Sequence, residues 1–219
     1  MTASTRDGAP MTETVPTAEQ YWENFYRERE QVWTGNPNPL LVREVHGLSP
    51  GTVLDLGCGE GADAIWLAEQ GWRVTAVDVS ATAMARGEQR AAAAGLTIAW
   101  ERHDLRATFP AGSFDLVSAQ FLHSPVELPD ERAGILRSAA AAVAPGGVLI
   151  VGGHAGWPSW ADTPPHDYAF PTVEQVLEQL ELAPGQWQVD TAELVHSAST
   201  SPDGVVGERA DSVIRVHRT

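Results

Sequence analysis

A short apolar run, Thr52–Leu56, breaks at Gly57-Cys58-Gly59-Glu60-Gly61 and gives way to a helical pattern over Ala62–Gln70. A buried strand that turns on glycines into a helix is the opening unit of a parallel α/β sheet. The alternation then repeats. Gly71 stands where a helix end wants a left-handed residue, Trp72–Val77 reads as a second strand, and Ser80 caps a helix through Ala94 that Gly95 closes. Thr97–Glu101 and Phe114–Ala119 read as the third and fourth strands and Asp130–Val143 as a helix, with Pro145-Gly146-Gly147 turning into a fifth strand, Val148–Gly152. Thr172 caps a helix through Leu180. Gln186–Leu194 and Asp211–His217 read as two closing strands, and the polar loop Ser197–Gly207 between them predicts a hairpin-like antiparallel edge. Helix-length crossovers make the rest a mostly parallel, doubly wound α/β sheet of Rossmann-like type.

Upstream of this pattern, residues 17–32 follow a helical period through Tyr21, Trp22, Phe25 and Tyr26, with Thr17 and Gln20 spaced as a capping box. Thr34-Gly35-Asn36-Pro37-Asn38-Pro39 breaks the chain before a short helix over Leu40–His46. Residues 1–16 read as a flexible arm, and 17–219 as one domain.

Charge excludes several classes of partner. The 219 residues carry a net charge of −15, and all 14 basic residues are arginine. Such a surface repels phosphate backbones and anionic lipid, so neither nucleic acid nor membrane is the expected partner. Without lysine there is no Schiff-base or phosphate-loop chemistry. Arg86, Arg90, Arg102 and Arg106 form the one basic cluster, read as a solvated helix face and loop. No run approaches the roughly 20 apolar residues that span a bilayer, and Arg6, Asp7 and Glu13 at the start do not make a secretory leader. The single cysteine, Cys58, forms neither an intrachain disulfide nor a cysteine zinc site, and a reducing cytoplasmic setting is the expectation.

The glycine turn narrows the ligand. At a strand-to-helix turn in an open sheet, glycines admit close approach of a ligand, and the helix start offers free N–H groups. Dinucleotide sites want G-x-G-x-x-G with a pyrophosphate at the helix start. Here the spacing is G-x-G-x-G, and Asp55 precedes the first glycine by two residues. A carboxylate is a poor neighbour for pyrophosphate and a good one for a cation. S-adenosylmethionine carries a sulfonium and an α-amino group and no phosphate, so Asp55 favours it over a nicotinamide or flavin dinucleotide. Asp78, at the end of the second strand and 17 residues past Gly61, is spaced to accept from ribose hydroxyls. Asp104 follows the third strand, where a carboxylate accepts from an adenine amine and the Leu105 N–H serves a ring nitrogen. Alone, each has a plain explanation: a turn, a helix-capping acid before Ser80, a loop acid. At successive strand ends they support one another.

Asp55-Leu56-Gly57-Cys58-Gly59-Glu60-Gly61 with Asp78 and Asp104 resembles the class I S-adenosylmethionine-dependent methyltransferases. Phe109–Val117 and Pro145–Leu149 are similar to that family's later motifs. The resemblance covers roughly residues 17–219 and implies a seven-stranded sheet with the last strand antiparallel. It implies a cofactor set of Trp33, Asn38, Asp55, Gly57, Cys58, Gly59, Asp78, Val79, Asp104, Leu105 and Gln120. Tyr21-Trp22-Glu23 and Trp33–Leu40, followed by Gly57–Ala64, look like small bacterial methyltransferases of the tellurite-resistance and thiopurine type, which implies a soft or small-molecule acceptor.

Methyl transfer from a sulfonium is an in-line displacement that mainly needs the nucleophile held in place. A thiol needs little more, whereas a hydroxyl or protonated amine needs a base. The candidates are His123 and His154, each just past a strand end; with His103 they have no metal-ligand spacing, and no metal is expected. Residues 17–46 and the loop 154–171, with Trp157, Trp160, Tyr168 and Phe170, are expected to roof the acceptor side. The expected function is methylation of a small molecule at sulfur, nitrogen or oxygen by a monomer or homodimer. The alternative is a catalytically silent, cofactor-binding regulator.

Overall fold

The computed structural model describes residues 16–161, 168–201 and 203–219. Its strands are β1 (Thr52–Leu56), β2 (Arg73–Asp78), β3 (Ala99–Arg102), β4 (Phe114–Gln120), β5 (Val143–His154), β6 (Trp187–Thr200) and β7 (Val206–Arg218). Its helices are α1 (Ala18–Arg27), α2 (Pro39–Val45), α3 (Ala62–Glu69), α4 (Ala81–Ala93), α5 (Glu131–Ala141) and α6 (Val173–Gln179). The seven strands form one sheet in the order β3-β2-β1-β4-β5-β7-β6. β1 to β5 pair in parallel, while β7 runs antiparallel to both β5 and β6. Apart from Pro16, the expected arm 1–16 lies outside the described residues, as do residues 162–167 of the aromatic loop.

Strand alternation explains the double winding. Val53, Leu116, Val148 and Ile150 pack with Leu41 of α2 and Ala64 and Leu67 of α3 on one face. Leu54, Val117, Leu149 and Val151 point to the other, against Leu136 of α5 and Val176 of α6. Each fully buried aliphatic side chain contributes about 1.5–3 kcal/mol, so both faces must be covered, and the crossovers cover them. The chain leaves β1 toward β2 on one side while β4 lies on the other, which opens a crevice at the carboxyl ends of β1 and β4.

The ends of several elements differ from the sequence expectation. α1 stops at Arg27, not at residue 32. α5 runs over Glu131–Ala141 rather than Asp130–Val143, and Asp130 before it holds a left-handed φ of 60° with no side-chain cap bond. β5 begins at Val143, five residues early, across a register shift opposite Phe114 and Leu116. Most of the expected loop Ser197–Gly207 is strand, because Ser197, Ala198, Ser199 and Thr200 continue the ladder with Arg209, Glu208, Gly207 and Val206. Polar residues misled the reading there: β6 is an edge strand, and exposure on its open side suits polar side chains.

Candidate active site

The glycine turn connects β1 to α3 through three left-handed residues, Gly57 (φ 69°), Gly59 (φ 53°) and Gly61 (φ 77°). The conformation is cheap only for glycine. Space forbids side chains as well: a Cβ on Gly57 would stand 2.6 Å from Leu122 Cδ1, and one on Gly59 would stand 2.7 Å from Tyr26 Oη. Asp78, at the end of β2, ties the turn to the next crossover. Its Oδ2 accepts from the Gly59 N–H and its Oδ1 from the Ser80 N–H, both at 2.8 Å. The Cys58 N–H donates to the Val77 carbonyl at 2.9 Å.

Three carboxylates converge beneath this turn. Asp55 and Asp78 are buried, and Asp63 accepts the Asn38 N–H at 2.6 Å. Burial, with the neighbouring charges of Asp63 and Asp78, pushes Asp55 well above the usual carboxylate range. Burial also raises Asp78, against the N–H bonds it accepts. Asp55 Oδ2 and Gln120 Oε1 are buried acceptors without a partner among the described residues. Asp55 pairs in register with Ser118 of β4, and Gln120 lies two residues on, so both acceptors belong to the crevice at the strand ends. Uncompensated negative charge and unmet acceptors fit a ligand that brings a cation and N–H donors. The sulfonium and ammonium of S-adenosylmethionine meet that requirement, and a pyrophosphate does not.

The acid cluster has a pH signature. Burial pushes Asp63 up to about 6 from 3.8. A raised carboxyl stabilises the fold while it is protonated; this contribution is whole below about 3.8 and is lost as pH rises through about 6. We expect the thermal midpoint of the ligand-free chain, minus that of Asp63→Asn, to fall by several degrees between pH 4 and pH 7. A difference that stays flat or rises would remove Asp63 from the cluster.

Helix α1 lies over the turn because its acids are recruited there. Glu23 accepts from Ser80 Oγ, Thr82 Oγ1 and the Thr82 N–H at the start of α4. Burial opposes its charge, but these bonds and Arg27 prevail and draw Glu23 down to about 2. Glu60, inside the turn, accepts from the Val32 and Trp33 N–H groups and from Arg86. Trp33 donates from Nε1 to Tyr26 Oη at 3.0 Å and lies beside Gly59, half exposed. The Asn38 side chain caps α2 at Leu40.

The remaining candidates are arranged less directly. Val79 is half-buried, and its carbonyl accepts from Arg102. Leu105 packs on the core. Both oxygens of Asp104 are held by Arg106, at 2.9 and 2.8 Å, so an adenine amine would share an already engaged carboxylate. The four clustered arginines are pins rather than a surface patch: Arg86 and Arg90 hold Glu60 and the backbone at Tyr26, Arg29 and Gly35, and Arg102 pairs with Glu19. His103 turns to Thr108 and Glu101, away from the other two histidines.

On the acceptor side the two histidines differ. His123 Nε2 accepts the His154 N–H at 3.0 Å, so in the neutral ring Nδ1 carries the proton and donates to Tyr168 Oη at 3.1 Å. Tyr168 Oη in turn donates to Glu127 Oε2 at 3.1 Å. Burial, with Arg132 and His154 nearby, lowers His123 to about 3. Both ring nitrogens of His123 are thus engaged in this arrangement. His154 is arranged as a base would be: its Nδ1 bonds Asp211 Oδ1 at 2.8 Å, and Asp211 Oδ2 accepts from Arg209 Nε. With its proton on Nδ1, the ring presents an Nε2 lone pair at the end of β5. Phe121 packs on His154 at 4.4 Å between centroids and holds a left-handed φ of 51°, a strain of about 1–3 kcal/mol stored beside the site. Trp157, Tyr168 and Phe170 join this ring cluster. Trp160 does not: it donates to Ser199 on the β6–β7 hairpin. Asp211 was not legible in the sequence, because it lies 57 residues from its partner and reaches it only through β5–β7 pairing.

Comparison with known proteins agrees with this geometry. Residues 53–147 match the model of a methyltransferase domain family. The chain is similar to the 2-heptyl-1-hydroxyquinolin-4(1H)-one methyltransferase of Mycobacteroides abscessus, 32% identical over 163 residues, covering 71% of this chain and 67% of that protein. It spans less than half the length of several other curated relatives it matches. Its fold superposes on TehB from Haemophilus influenzae with a TM-score of 0.70 at 17% identity, over 90% of this chain and 67% of that one. It also superposes on the N-methyltransferase NodS from Bradyrhizobium japonicum WM9 in complex with S-adenosyl-L-homocysteine, with a TM-score of 0.64 at 20% identity, over 90% of this chain and 98% of that one.

Proposed function

Since the chain belongs to the class I S-adenosylmethionine-dependent methyltransferases, we propose that it methylates a small aromatic molecule at oxygen or nitrogen, with His154 as the general base. The observation that carries this reading is the His154–Asp211 pair at the end of β5. A sulfur acceptor needs no such base. The mycobacterial relative's named substrate is a hydroxyquinolone, in keeping with a planar hydroxyl-bearing acceptor among the rings of Phe121, Tyr168 and Phe170.

Bound S-adenosylmethionine supplies an activated methyl group on sulfur. In this reading Asp55, Gln120, Gly57, Cys58 and Gly59 hold its charged end, and Asp78 and Val79 its ribose. Asp104 and Leu105 meet its adenine, and Trp33 and Asn38 close the side under α1. Asp211 holds the His154 ring so that Nε2 accepts the acceptor's proton. His123, Tyr168 and Glu127 tie residue 168 to the strand ends, which orients the aromatic wall and excludes water. Residues 17–46 and, among the described residues, 154–161 and 168–171 then serve as covers over the two halves of the site. With a net charge of −15 the chain suits a small acceptor better than nucleic acid. Among the described residues, no helix is long and apolar enough to cross a membrane.

The test is methyl transfer by the purified chain to a panel of phenols, hydroxyquinolines, aromatic amines and aryl thiols. Transfer to hydroxyl or amine acceptors is expected, with one S-adenosylhomocysteine formed per methyl moved. Turnover confined to thiols would overturn the base assignment.

A further inference from the structure

Arg132 sits in the first turn of α5, is 4% exposed, and leaves Nε and Nη1 without a hydrogen-bond partner among the described residues. A guanidinium keeps its charge in a protein, so an unpaired buried one is costly unless an anion meets it. Glu127, whose charge acts on Arg132, is bonded by Tyr168 and forms no ion pair with the guanidinium among the described residues. The guanidinium faces the acceptor side. A Cβ built on Gly153, next to His154, would stand 3.1 Å from His123 Nε2 and 3.5 Å from Arg132 Nη2. Glycine suits position 153 because the His123 ring, Ser212 Oγ at 3.4 Å and the arginine already crowd it. Rings surround this histidine, with Tyr168 5.6 Å and Phe170 6.0 Å from His123 between centroids.

We propose that Arg132 is the docking point for the carboxylate of an aromatic acid that serves as the methyl acceptor. The buried cation supplies the ionic contact, the rings supply the apolar wall, and His123 links it to His154, whose ring lies 5.7 Å away between centroids. This rests on reading the His123–His154 region as the acceptor site. It divides the labour there: Arg132 selects the substrate, and His154 takes its proton.

Salicylate and its uncharged isostere salicylamide separate charge recognition from ring packing, and inorganic phosphate tests for a generic anion site. Calorimetry with the full chain, with and without saturating S-adenosylhomocysteine, reads all three. Salicylate is expected to bind at least tenfold more tightly than salicylamide or phosphate. Arg132→Met is expected to erase that preference while S-adenosylhomocysteine affinity is unchanged. Arg132→Lys, which keeps the charge should the methionine variant unfold, is expected to weaken salicylate several-fold. Equal binding or no binding of salicylate and salicylamide, phosphate as tight as salicylate, or an undiminished preference in both variants would overturn the proposal. If the chain refuses S-adenosylhomocysteine but keeps the salicylate preference, the arginine site stands and the methyl-transfer reading beneath it falls.

Discussion

Alanine at position 154 is expected to slow methylation of a hydroxyl acceptor by about 10²–10⁴-fold, the range a positioned general base contributes. Affinity for S-adenosylhomocysteine should stay within about twofold of wild type, because the His154 ring bonds to Asp211 and packs on Phe121, away from the glycine turn. Asp211→Asn tests the other half of the pair. An amide accepts the Nδ1–H but gives up the charge that stabilises the ring once it is protonated, so the turnover number falls while the KM for the acceptor holds. The discriminating control is an aryl thiol, which ionises without help. If thiol and hydroxyl turnover fell together, His154 would be supporting the fold of the strand end rather than taking a proton.

Loss of Asp78 is expected to have the second largest effect, on two observables. Asp78→Ala removes a charge-assisted contact worth about 1.5–3 kcal/mol, which weakens cofactor binding by roughly 10- to 150-fold. It also strips the Gly59 and Ser80 N–H groups of their shared acceptor, so the thermal midpoint falls. Asp78→Asn separates the two. Its amide oxygen still accepts one of these bonds, so more of the thermal midpoint survives, but the ribose loses its anionic acceptor and affinity drops. Wild-type affinity in both variants would show that Asp78 only staples the turn. That staple was not evident from the spacing of Asp78 to Gly61, which marks a ligand contact but not the hydrogen bonds that hold the carboxylate in place.

Local periodicity and turn chemistry were enough to place most of the elements. Glycines at 71 and 95 adopt left-handed φ of 91° and 71° where helices end. Thr17 forms the capping box that its spacing to Gln20 predicts, and Thr172 caps α6 as expected, with Gln175 completing a second box. These signals survive because each is a bargain between neighbours in the chain. Boundaries were harder wherever a distant partner decided them: Ser197–Thr200 are strand only because β7 lies alongside, and Val143, read as the end of a helix, is strand because it pairs with Phe114.

By itself the amino-acid order determined the parallel α/β class, the glycine turn and the acids at successive strand ends, since all of these are written in residues a few positions apart. Tertiary structure alone set the two histidines apart. His123 and His154 look alike in sequence; one is closed off by Tyr168 and a backbone N–H, the other is oriented by Asp211. Those partners lie 31 to 57 residues away: the pairing of β4, β5 and β7 brings the His154 N–H to His123 and Asp211 to His154, and the segment before α6 carries Tyr168 back to His123.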